Sequence, residues 1–94
     1  MTITNLKPTR SEKSFYGKAK VIRTDDGVIT LKSYDTEVCA IDSTGNFVRL
    51  WRDYVIDSYG NVKEGYSSTT MRHINAFRET YGLEPINKKQ WENL

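Results

Sequence analysis

The chain has 94 residues, enough for one hydrophobic core and too few for two. With 28% charged residues, a net charge of +2 and no apolar run of roughly 18 residues, composition argues against disorder, a membrane helix and a strongly acidic DNA mimic. One cysteine, Cys39, excludes an internal disulfide framework and an all-cysteine zinc site, and no apolar leader opens the chain, so the cytoplasm is the expected location.

Charge is unevenly spread. Residues 1–33 carry an excess of basic groups and residues 34–66 an excess of acidic ones, a polarity that orients charged partners.

Residues 1–13 (MTITNLKPTRSEK) lack sustained periodicity and read as a flexible N-terminal arm, ordered only where Ile3 and Leu6 find a groove. Residues 14–94 read as a single α+β domain. From Phe15 the pattern has a period of two, with Phe15, Gly17, Ala19 and Val21 alternating with Tyr16, Lys18, Lys20 and Ile22. Asp25-Asp26-Gly27 is a hairpin turn, followed by a strand over Val28–Tyr34 and another over Thr36–Asp42. After the turn Ser43-Thr44-Gly45-Asn46, the aromatic and β-branched run Phe47–Ile56 predicts a long further strand. Residues 52–66 predict a projecting hairpin around Tyr59-Gly60-Asn61.

Ser67 or Ser68 caps a helix to Tyr81. Its Met71, Ile74, Phe77 and Tyr81 share one face, with Arg72, Asn75 and Glu79 opposite, in solvent. Gly82 and Pro85 stop it, and Asn87 caps a last short turn carrying Trp91 and Leu94. The expected fold is therefore α+β: a four- to six-stranded antiparallel meander sheet with one C-terminal helix packed on one face.

No catalytic constellation emerges. His73 is the only histidine, at the edge of the apolar arc, and reads as a rim residue. Cys39 reads as a small buried hydrophobe. The aspartates fall in turns, the glycines are dispersed, and neither a metal shell nor a phosphate loop is spelled out. The expectation is a non-enzyme without metal or cofactor.

A binding face is the better signal. If Ala19, Val21, Ile29, Leu31, Cys39, Ile41, Val48 and Leu50 face the helix, parity places Tyr16, Lys18, Lys20, Thr30, Lys32, Tyr34, Arg49 and Trp51 outside. Rings interleaved with cations suit a protein interface or single-stranded nucleic acid, RNA included. The hairpin adds Tyr54 and Tyr59, so the candidate partner-binding set is Tyr16, Lys18, Lys20, Lys32, Tyr34, Arg49, Trp51, Tyr54 and Tyr59.

Three stretches, Phe15–Val21, Ser33–Thr36 and Gly65–Asn75, resemble a family of small proteins on phages, plasmids and other mobile elements of Gram-positive bacteria. In that pattern the tryptophan after an Arg-Leu pair is followed almost directly by Gly-Tyr-Ser. Here Arg52–Glu64 intervenes, as an inserted hairpin that is either a tolerated surface insertion or a recognition arm whose tyrosines anchor a basic partner surface. Small mobile-element proteins without enzyme signatures are often inhibitors of host defence. By that analogy the chain resembles an anti-CRISPR protein acting on a type II nuclease complex (Cas9) or on its guide-RNA loading. The alternative is a nucleic-acid-binding accessory or regulatory domain using the basic aromatic sheet face.

Overall fold

Alternating side chains place strand after strand across one sheet. In the computed structural model, which describes residues 1–10, 14–51, 53–56, 58–65 and 68–94 (side chains of 53–55 and 62–65 excepted), five strands pair antiparallel in sequence order. They are β1 (Thr2–Asn5), β2 (Ala19–Arg23), β3 (Ile29–Ser33), β4 (Thr36–Ile41) and β5 (Phe47–Arg49). A second, two-stranded sheet pairs β6 (Asp53–Ile56) with β7 (Val62–Gly65). Helix α1 (Ser68–Thr80) covers one face of the meander, and the short α2 (Lys88–Glu92) follows. The meander and its covering helix are the α+β architecture that the periodicities predict.

The turns are held by their own aspartates. Asp42 accepts from the Thr44 hydroxyl at 2.7 Å and from the N–H groups of Thr44 and Asn46 at 3.0 and 2.9 Å. Asp26 accepts from the Thr24 hydroxyl and the Val28 N–H. These bonds stabilise the ionised carboxylates, so both pKa values lie below the ordinary range, led in each case by the threonine hydroxyl.

Four expectations need correction. The first five residues are no arm: β1 pairs with β2 through Thr2↔Arg23 to Asn5↔Lys20. Leu6 follows into the core, its N–H bonded to Ala19 O at 2.9 Å. Four residues are too few to display a period, yet pairing satisfies their backbone and Leu6 anchors the end; residues 11–13 lie outside the described residues.

Second, Val38, which strict alternation with Cys39 and Ile41 assigns to the outer face along with Ala40, faces inward beside Cys39. The register passes from Leu31↔Cys39 to Lys32↔Glu37, so Val38 is an extra residue in a bulge, and both it and Cys39 are buried.

Third, β5 presents the opposite face. Ile41↔Phe47 and Cys39↔Arg49 put Phe47 and Arg49 on the helix side, leaving Val48 and Leu50 exposed. A one-residue change of parity exchanges the two faces of a strand. The long strand expected over Phe47–Ile56 is also broken, because the N–H groups of Leu50 and Trp51 both turn to Val38 O, at 3.0 and 3.1 Å.

Fourth, Asn75 is not a solvent residue. Its amide receives the Ile86 N–H at 2.8 Å and donates to Ile86 O at 2.9 Å, fastening the segment after α1 to the helix.

The core joins Leu6, Phe15, Val21, Leu31, Ile41, Met71, Ile74, Phe77 and Trp91. Gly82 takes φ 81° and the Leu83 N–H reaches Arg78 O at 2.8 Å, which ends α1. Asn87 and Gln90 bond each other's backbone N–H across the first turn of α2, and Trp91 is fully buried beyond them. Among the described residues, no helix is long and apolar enough to cross a membrane.

Candidate partner-binding surface

The three stretches that carry the family resemblance meet at one buried side chain. His73, on α1, has Phe15 edge-on at 4.5 Å between ring centroids and Tyr34 tilted at 5.7 Å. Its Nδ1 lies 2.8 Å from Ser33 Oγ, which is 3.1 Å from Thr70 Oγ1. The histidine expected at the rim is interior, 1% exposed, and Ser33 is 2% exposed. What the pair does is mechanical: it ties the end of β3, and the turn beyond it, to α1. No spacing rule connects Ser33 with His73, forty residues apart; only the resemblance stretches flagged both.

On the solvent side of this node stand two tyrosines. Tyr16 precedes β2 and Tyr34 occupies the two-residue turn between β3 and β4, so both lie in turns and not on the sheet face. Tyr16 takes φ 52° and Tyr34 φ 54°, the left-handed region in which a Cβ is crowded against the carbonyl oxygen. They are the only non-glycine residues with positive φ among the described residues. Tyr16 is 79% exposed and Tyr34 49%. The turns are neighbours: the Tyr34 N–H donates to Lys18 O at 2.7 Å, and the Lys18 N–H donates to Phe15 O at 2.9 Å.

The face opposite α1 differs from the basic aromatic surface expected. Lys20 and Lys32 do stand on it, directly opposite each other, with Glu37 beyond Lys32 and Lys18 exposed nearby. The next row is apolar, running Ile3, Ile22, Thr30, Ala40, Val48 across all five strands.

Arg49 and Trp51 leave this surface. Arg49 donates from Nε to Trp51 O at 2.9 Å and from Nη1 to Trp91 O at 2.7 Å, and its guanidinium sits 4.6 Å from the Trp91 ring centroid. A cation stacked on a ring and bonded to two carbonyls is a half-buried structural fixture. Trp51 packs half-buried against the core. Tyr59 is 89% exposed in the β6–β7 connection, beside Gly60 at φ 81°; the side chain of Tyr54 lies outside the described residues.

Burial pushes the Cys39 thiol far above its ordinary pKa, so it is a core side chain and a poor nucleophile. Among the described residues no three His, Cys, Asp or Glu side chains cluster as metal ligands would.

Fold and surface together define a small α+β protein with one helix-covered sheet face, an outer face that carries a charged row beside a largely apolar one, and an exposed pair of tyrosines at one end. Residues 3–93 match a family of unknown function, DUF8033, and the chain belongs to that family. No curated protein sequence and no solved structure matches it.

Proposed function

We propose that this chain acts by binding and not by turnover, as a mobile-element inhibitor of a host defence nuclease complex. The target in this reading is a type II CRISPR nuclease, Cas9, or its guide-RNA loading step. The supporting observation is the pair Tyr16 and Tyr34, large rings kept in solvent at φ 52° and 54°. Each left-handed position costs about 1–2 kcal/mol for an L side chain, and Tyr16, whose ring is mostly in solvent, returns little of it through burial, while Tyr34 returns part through its contact with His73. Exposed rings on a rigid base are what protein interfaces use as anchors. The withdrawal of Arg49 and Trp51 from the outer face, and the apolar row that remains, favour a protein partner over a nucleic acid. The CRISPR target itself comes from the mobile-element resemblance.

Cleavage of target DNA by purified Cas9 of a Gram-positive host, with the chain added either before or after the guide RNA, tests this. Wild-type chain slows cleavage, and the Tyr16→Gly/Tyr34→Gly variant, still folded by circular dichroism, restores it. Undiminished cleavage under a large excess of wild type removes the CRISPR assignment. Direct, steeply salt-sensitive RNA binding would move the function to the nucleic-acid alternative.

A further inference from the structure

The two edges of the five-stranded sheet are unequal. β5 is three residues long and directs the charged Arg49 toward the helix side, both of which discourage pairing with another chain. β1, one residue longer, has no inward-turned charge. Its four residues, Thr2-Ile3-Thr4-Asn5, are all exposed, include no charge and no proline, and pair with β2 without a register shift.

The direction of its free backbone groups follows from one bond. Leu6 N–H donates to Ala19 O at 2.9 Å, so Leu6 faces β2, and by the alternation of an antiparallel ladder so do Thr4 and Thr2. Ile3 and Asn5 therefore point their N–H and C=O groups away from β2, and among the described residues no strand lies on that side.

We propose that this edge is a self-association site, where β1 pairs antiparallel with β1 of a second copy. Ile3 of one copy then lies opposite Asn5 of the other, with Thr4 against Thr4 on the two-fold axis. The occupant is a second copy because the strand is complementary to itself. Its outward groups meet donor to acceptor, and no like charges fall opposite each other within the four residues, which an isologous interface requires. The apolar row of the outer face, which ends at Ile3, would continue onto the second sheet.

Sedimentation equilibrium of the full chain from micromolar to millimolar concentration tests this. The expected weight-average mass rises toward twice the 10.9 kDa of one chain. Asn5→Pro deletes an outward N–H in each copy while sparing the bonds to β2, and weakens association by about tenfold or more at unchanged melting temperature.

Thr4→Lys and Thr4→Glu provide a second arm that leaves the backbone intact. Each alone places like charges opposite at the axis and is monomeric, and their mixture dimerises again. A wild type that stays monomeric at millimolar concentration overturns the proposal. So does a dimer whose affinity is untouched by Asn5→Pro and by both Thr4 substitutions.

Discussion

Replacing Tyr16 by glycine should make the protein more stable. Tyr16 holds φ 52° with 79% of its surface in solvent, so the substitution removes little buried area. Relief of the left-handed backbone returns about 1–2 kcal/mol, and the greater freedom of glycine in the unfolded chain takes back about 0.5–1 kcal/mol. The net gain is up to about 1.5 kcal/mol, which in a domain of this size raises the melting temperature by up to about 12 °C. Tyr34→Gly should gain less, because the Tyr34 ring is half-buried and lies 5.7 Å from His73, a contact that glycine loses. Gly17, the next residue at φ 76°, supplies the opposite sign: Gly17→Ala adds a Cβ in a left-handed conformation and destabilises. Urea and thermal unfolding of the three variants measure the set. A loss of more than 1 kcal/mol in Tyr16→Gly would refute the reasoning, since the ring would then be kept for stability and its exposure would no longer point to a partner.

Phe77→Ala, at a fully buried position under the sheet, should lower unfolding free energy by about 3–5 kcal/mol, and a change below about 0.5 kcal/mol would mean that α1 is docked by another face. The depressed pKa of Asp42 makes its contribution complete above the ordinary carboxylate range, near pH 4, and lost as pH falls through the lower folded value. Asp42→Asn should accordingly flatten the acid limb of a urea-midpoint profile against pH; an unchanged limb contradicts the assignment. The Cys39 thiol should react with a disulfide reagent only as fast as the protein opens, and rapid labelling of the native state would place it outside the core. Shortening Arg52–Glu64 to a tight turn should leave the melting temperature within a few degrees, because β6 and β7 pair with each other and not with the main sheet, and a large drop would make the hairpin part of the fold.

Legibility in the sequence followed the length of each pattern. Ala19, Val21 and Leu31 were placed on the helix side by simple alternation, and α1 by the spacing of Met71, Ile74 and Phe77, because strands and helices of that length show their period. The bulge at Val38 has no sequence mark, and β5, three residues long after a five-residue turn, offers too few positions to fix its parity. From that single ambiguity Arg49 and Trp51 were put on the wrong side of the sheet. Tyr16 and Tyr34 read by parity as rings of the outer sheet face and stand instead in turns, in a left-handed backbone that tyrosine ordinarily avoids and that no alternation encodes. The burial of His73 depends on Ser33 and Phe15 arriving from distant strands, which no local pattern encodes.

Calorimetric titration of Cas9, guide-free and guide-loaded, with the wild-type chain and with the Tyr16→Gly/Tyr34→Gly variant is the most direct test of a partner held by the two tyrosines. The expected result is saturable binding of the wild type, little weakened by added salt, with the double variant at least about tenfold weaker despite its undiminished stability. No binding by the wild type, or equal affinity of the two proteins, would contradict it.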